Sequence, residues 1–275
     1  MRSAHATTTV FKSLVQTLRH GWRPGRRAAA AQSPESTLMG DAAHSTLFMR
    51  SSLSPEPLRE GFKIRIARRP SVLEDAVGLL NRRYRQRGYG SQSLTLSPER
   101  MTIVAYEARQ VIGTLTVQLD TGHGLLSDEC FPDVLNGFRA SGARLCEFTK
   151  LATAPRAPTP ATLASMFHVA FIFAHQLSGA THIAIEVNPR HVSFYMRVLG
   201  FLPHGTPQSN PRVNAPGVLL IADFQEIGRQ LLAREAPGSG AGEPPPFFSH
   251  SFSNAEEKGI RKRIEAALRR MDDTP

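Results

Sequence analysis

"RLCEFTKLATAP", residues 144–155, reads as a core strand followed by a break. Leu145, Phe148, Leu151 and Ala152 suit a buried sheet, and Pro155, with Pro158 and Pro160 behind it, stops regular structure. The predicted strand covers 143–153, and two charges interrupt it, Glu147 and Lys150. A charge in an apolar strand is costly unless it is paired or has chemical work to do. With a period of two, Leu145, Glu147, Thr149 and Leu151 share one face, and Cys146, Phe148 and Lys150 the other. Glu147 and Lys150 are therefore not expected to pair. Arg144 is the neighbour that could neutralise Glu147.

Outward from this strand the periodicity alternates between two and 3.6. Behind it come a helix over 161–177, the strand "HIAIEV" (182–187), a helix over 189–199 and the strand "GVLLIAD" (217–223). Ahead of it, Phe62, Ile64 and Ile66 alternate with polar residues in "FKIRIAR". A helix from Pro70 to about Arg87 carries Val72, Ala76, Leu79, Leu80 and Arg83, and Gly88 and Gly90 end it. Strands over 101–106 and 111–119 flank a turn at 108–110, and a short helix follows near 133–139. The order is strand, helix, three strands, helix, strand, helix, strand. It predicts an α/β (α+β) domain with helices packed on a mixed sheet.

The 275 residues are 41% hydrophobic, enough for one full-sized core with tails. A net charge of +10 and a pI near 10.4 favour anionic partners: an acidic protein, a membrane surface or nucleic acid. The first residues differ in kind from the rest. Residues 1–60 predict a basic tail and linker, with no Asp or Glu before Glu35. That start resembles a transit peptide, and Phe11, Leu14, Val15, Leu18 and Trp22 share a helical face suited to a membrane surface. The main domain is expected over 61–235, a Gly/Pro linker over 236–252 and a basic amphipathic helix over 253–275. In that helix Ser253 and Glu256 have capping-box spacing, and Ile260, Ile264, Leu268 and Met271 form a stripe. Lys258, Arg261, Arg263 and Arg269 crowd the opposite side. Cys130 and Cys146 offer neither a disulfide framework nor zinc-ligand spacing, which points to a reducing, cytoplasmic setting. No apolar run is long enough to span a bilayer.

Three stretches resemble the GNAT acetyltransferase fold: "VIGTLTVQLD" (111–120), "ARLCEFTKLAT" (143–153) and "EVNPRHVSFYMRVLGF" (186–201). The likeness covers about 62–224 and implies a mixed, mostly antiparallel central sheet flanked by helices. Within that fold "RRYRQRGY" (82–89), "IGTLTVQLD" (112–120), "GLLSDECFP" (124–132) and "CEFTKLA" (146–152) resemble the long-chain N-acyl amino acid synthases. These are relatives of the acyl-homoserine lactone synthases. The resemblance implies transfer of a long acyl chain from an acyl carrier protein thioester to the α-amine of an amino acid. Acyl-CoA users of this fold carry a glycine loop whose amides hold pyrophosphate at a helix N-terminus. Here "TAPRAPTPATLAS" (153–165) has prolines at that place. An acyl-phosphopantetheine thioester on a carrier protein is thus the expected donor, acyl-CoA less so, with no bound cofactor.

Residue by residue, the resemblance makes Glu147 the general base, and burial on an apolar strand would raise its pKa toward neutrality. Arg83, Tyr84 and Arg87 match the family's helix and would hold the amino acid's carboxylate or the acyl-phosphopantetheine; solvated surface charge is the alternative. Asp120 would orient the amine, or cap a turn. Thr149 shares the face of Glu147 and joins the substrate-binding set. Lys150 and Arg156 would contact the acyl donor or its carrier. Tyr195 matches the family's general acid, with core packing as the alternative. A backbone N–H of the strand is the expected oxyanion donor. "MFHVAFIF" (166–173) suggests an acyl tunnel between its helix and the central strands. Cys146 lacks the exposed, electropositive setting of a nucleophile, and His168 and His175 are too far apart for a metal pair, so no metal is expected. Two other functions compete: a homoserine lactone synthase using S-adenosylmethionine, and a catalytically silent basic module binding membrane or nucleic acid. The expected partners are acyl carrier protein and an amino acid, with an anionic membrane surface at the cytoplasmic side as a further candidate, and no nucleic acid.

Overall fold

The period-two segments pair into one eight-stranded sheet in a computed structural model that describes residues 46–49, 61–155, 159–233 and 246–272. Its strands are β1 (Thr46–Met49), β2 (Phe62–Ile66), β3 (Arg100–Glu107), β4 (Gln110–Leu119), β5 (Leu145–Thr153), β6 (His182–Val187), β7 (Leu202–Asn210) and β8 (Ala215–Asp223). The spatial order is β1-β2-β3-β4-β5-β6-β8-β7, antiparallel throughout except where β5 runs parallel to β6. That one parallel pair needs a crossover, which α3 (Pro160–Phe171) supplies.

On one face lie α1 (Pro70–Arg85) and α2 (Pro132–Ala140). Val72, Ala76, Leu79 and Leu80 of α1 pack on Val104, Tyr106 and Ala152, while Leu135 of α2 meets Leu145 and Leu219. Arg83 is buried on the same helix stripe, as the spacing predicts. The other face is covered by α3, α4 (Val192–Leu199), α5 (Phe224–Ala233) and α6 (Asn254–Asp272), which share the main core with Cys146 and Phe148. Positive φ at Ala108 and Arg109 makes the β3–β4 link a tight two-residue turn, and Gly200, at φ 72°, ends α4.

Four features differ from the sequence reading. The predicted helix over 161–177 becomes α3 followed by a π-helical segment, Ile172–Leu177, which buries Ile172, Phe173 and Ala174. The strand β7, "LPHGTPQSN", has turn composition, yet an edge strand tolerates Pro203 and Pro207, and Gly205 sits at φ 73° inside its bulge. Strand β1 pairs with β2 from within the supposed linker. Residues 246–252, assigned to the Gly/Pro linker, instead form a 3-10 turn that buries Phe247, Phe248 and Phe252 in the main core. Three phenylalanines outweigh the flexible composition ahead of them. Helix α6 then starts at the expected cap: the Ser253 amide donates to Glu256 Oε2 (2.8 Å) and the Glu256 amide to Ser253 Oγ (3.4 Å). Ile260 and Ile264 are buried and Leu268 packs at the edge of the core. The predicted N-terminal basic segment and Arg156 lie outside the described residues. Among those residues no helix is long and apolar enough to cross a membrane.

Candidate active site

Where β5 leaves β6, a cleft opens. The parallel ladder pairs Leu145 with His182, Cys146 with Ile183 and Glu147 with Ala184, and goes no further. Beyond Glu147 the two strands diverge around a cavity of about 410 Å³ lined by β5, β6, the end of α1, α4 and the β7–β8 hairpin.

A bulge shapes the β5 wall. Thr149 faces Thr116 and Ala152 faces Thr114, so Lys150 and Leu151 together oppose Leu115. Lys150 stands at φ 54° to make this possible. Strict alternation therefore fails after Thr149. Leu151, expected on the face of Glu147, joins the core containing Phe148, and Ala152 goes to the α1 side. Lys150, expected on the Phe148 face, turns into the cleft, where Nζ donates to the Ser93 carbonyl (2.6 Å). Burial, with Arg100 and Arg212 nearby, lowers its pKa.

Glu147 sits at the apex of the divergence, 2% exposed. The Leu126 amide donates to its Oε2 (2.8 Å). Among the described residues it has no arginine within ion-pair distance, and Arg144 packs instead beside Gly179. Burial pushes its pKa up to about 7, only partly offset by the Leu126 amide and the charge of Arg212. A carboxylate in that range exchanges protons at neutral pH.

Arg83, Tyr84 and Arg87 all line the cleft, as does Thr149. Arg83 is 5% exposed, and its Nη1 donates to Gln86 Oε1 (2.5 Å) while its buried Nε has no hydrogen bond. Burial and the like charge of Arg87 lower its pKa. A buried guanidinium without a carboxylate partner has donors left to offer an anion. Burial holds Tyr84 protonated, with its pKa pushed up to about 12. Tyr195 packs edge-on against Phe194 and Phe201, as its core-packing reading expects, and it also lines the cleft. Burial raises its pKa too, which keeps the phenol a proton donor. Asp120 does not reach the cleft. Arg139 binds it (Nε to Oδ2, 2.7 Å) together with Asp128 (Nη2 to Oδ2, 2.7 Å), fastening the loop after β4 to α2. That ion pair replaces the substrate contact expected for Asp120.

The sequence reading missed a second carboxylate. Glu186 on β6 is pushed up by burial, accepts from Asn210 Nδ2 (2.7 Å) and pairs with Arg212 Nη2 (3.4 Å). Arg212 also donates to the Leu126 carbonyl (2.7 Å) and pairs with Glu129 (3.1 Å), so the β7–β8 hairpin is tied across the cleft. Gly217 makes room for this, because any Cβ there would collide with the Glu186 carboxylate. The signal was present: Glu186 breaks the apolar strand "HIAIEV" as Glu147 breaks its own. Cys146 is buried, and its thiol is pushed well up by burial and the negative charge of Glu147. Among the described residues no group of three His, Cys, Asp or Glu side chains could hold a metal.

The start of α3 bears on the acyl donor. Pro160 has no N–H, and the Thr162 amide is taken by Thr159 Oγ1 (3.2 Å). This helix N-terminus presents few amides to a pyrophosphate.

The profile of the family described as N-acyl amino acid synthase FeeM matches residues 75–223. Among solved structures the chain is similar to FeeM, an N-acyl amino acid synthase from uncultured soil microbes, at 24% identity and a TM-score of 0.55, covering 64% of this chain and 96% of that one. It also matches the acyl-homoserine lactone synthase LasI at 13% identity (TM-score 0.46, 59% and 90% covered). A third match is a GNAT-family acetyltransferase from Streptococcus pneumoniae at 14% identity (TM-score 0.43, 59% and 98% covered). No curated protein matches.

Proposed function

The chain belongs to the FeeM family of N-acyl amino acid synthases and is an N-acyltransferase, and we propose that it moves a long-chain acyl group from an acyl carrier protein thioester to the α-amine of an amino acid, with Glu147 as the base. The observation that carries this reading is Glu147 itself: a buried carboxylate with a pKa near 7 at the apex of a cleft between diverging strands.

The cleft suits each part of the reaction. The acyl thioester lies along the open edge of β5, whose backbone groups beyond Glu147 have no β6 partner and can donate to the developing oxyanion. The buried Arg83 and neighbouring Arg87 take the amino acid's carboxylate and orient its amine. The amine nitrogen attacks the thioester carbonyl, a C–N bond forms, and the nitrogen's proton passes to Glu147. The C–S bond then breaks, and the departing thiolate takes a proton from the Tyr195 phenol. Glu147 and Tyr195 return to their starting states by proton exchange with solvent. The capped, proline-opened start of α3 supports a donor delivered on a carrier protein rather than free acyl-CoA, and Lys150 at the cleft's edge suits the donor's phosphate or an acidic carrier side chain.

Lipid extracts of cells expressing the protein test this by mass spectrometry. N-acyl amino acids are expected with the wild type and are expected to be lost with Glu147→Gln. Extracts without them, or unchanged by the substitution, would sink the proposal, and acyl-homoserine lactones would assign the chain to the lactone synthases.

A further inference from the structure

Behind the cleft's aromatic wall lies a second cavity. Phe148 and Phe167, with ring centroids 6.1 Å apart, line both the cleft and a second, smaller cavity of about 30 Å³ on the far side of the sheet. That cavity is almost wholly apolar, walled by Phe171, Phe201, Phe224 and Leu231 among others. Its outer wall is Phe247 and Phe248, each 4% exposed, on the 3-10 turn Pro246–His250. This turn lies beyond residue 223, where the family match stops.

The turn is fastened from behind. His168 on α3, buried, accepts the Phe252 amide at Nδ1 (3.1 Å) and meets Glu257 Oε2 through Nε2 (2.8 Å). With Nδ1 accepting, the ring proton sits on Nε2 and donates to the carboxylate. Gln176 Nε2 donates to the other oxygen, Glu257 Oε1 (2.6 Å). A partly buried polar clamp from α3 and the π-helical segment to α6 thus fixes an otherwise apolar wall in place.

An acyl chain with its carbonyl beside Glu147 would meet Phe148 first, and rotation of Phe148 and Phe167 would be needed to admit it to this cavity. Close-packed interiors rarely leave apolar space unfilled. We propose that the C-terminal segment 246–257 is the acyl-chain stop of this enzyme: Phe247 and Phe248 close the far end of the channel and set the longest straight chain that fits. The inference rests on the acyl-transfer reading above and adds a specificity element from outside the matched region.

Straight-chain fatty acids of increasing length, titrated calorimetrically into the full-length protein, test it without turnover. Affinity is expected to rise about fourfold per added methylene until the chain reaches the stop, and then to level or fall. In Phe248→Ala and Phe247→Ala that break moves to chains about two to four carbons longer, as the truncated ring leaves room. In Phe248→Trp it moves to shorter chains, which keeps the test decisive if an alanine variant fails to fold. A break that stays put in folded variants, or no fatty-acid binding at all, overturns the inference. The variants' N-acyl amino acid products should shift in length alike. Product formation with an unmoved break would leave the acyl-transfer reading standing and remove the stop; a moved break without any N-acyl product would do the reverse.

Discussion

At the scale of single residues, Glu147 couples activity to stability. Its carboxyl is raised from an ordinary 4.5 to about 7 by burial, so the folded protein holds the proton more tightly than the unfolded chain. Below about pH 4.5 both states are protonated and burial carries no ionisation penalty. Between 4.5 and 7 the penalty grows, and above 7 it reaches about 3 kcal/mol, from roughly 1.4 kcal/mol per pKa unit. Glu147→Gln removes it and can still accept the Leu126 amide. The variant is expected to be more stable than wild type at pH 8 by up to that amount in urea unfolding, and equally stable near pH 4, while losing about 10²- to 10⁴-fold in acyl transfer. Equal stability at pH 8 would mean that the carboxylate is not desolvated as described. Arg83 makes a different prediction. Arg83→Gln should raise KM for the amino acid about 10- to 100-fold with a smaller change in kcat, the signature of lost ground-state binding. Arg83→Lys should restore little of it, because an ammonium cannot grip a carboxylate in two places. A fall in kcat alone would move Arg83 out of the carboxylate site.

At the scale of elements, what was legible in the sequence depended on how local the signal is. The Arg83 stripe on α1, the tight β3–β4 turn and the Ser253 cap were all readable, because each is fixed by residues within a few positions of one another. The bulge at Lys150 was not. Period-two reasoning assumes an unbroken ladder, and only the partner strand's register reveals that two residues of β5 oppose one of β4. Strand β7 escaped for a similar reason, since its prolines are harmless only at an edge that the sequence does not mark. The site followed the same rule. Glu147 announced itself as a charge in an apolar strand, whereas the Glu186–Asn210–Arg212 network joins β6 to the distant β7–β8 hairpin. That network gives an element-level test. Gly217→Ala on β8 places a methyl against the Glu186 carboxylate, and overpacking of this kind costs about 1–3 kcal/mol. The variant should fold with a lowered melting temperature and reduced acyl transfer. Activity at the wild-type level would show that the hairpin's tie across the cleft is dispensable.

At the scale of the molecule, the +10 charge and the cleft's cationic rim bear on how an acyl donor arrives. Electrostatic steering of an acidic carrier protein weakens with ionic strength. KM for an acyl carrier protein thioester should therefore rise about tenfold between low and high salt, with kcat little altered. A salt-independent KM would argue for a donor recognised by its acyl chain alone. These expectations depend on one claim, that a buried carboxylate with a near-neutral pKa drives acyl transfer in the cleft between β5 and β6. Its most direct test is the pH dependence of single-turnover acyl transfer by the purified protein, with an acyl carrier protein thioester as donor and an amino acid as acceptor. The rate is expected to fall about tenfold per pH unit below an inflection near 7, and Glu147→Gln should abolish that inflection along with most of the rate. A profile flat through neutrality, or an inflection that survives Glu147→Gln, would contradict it.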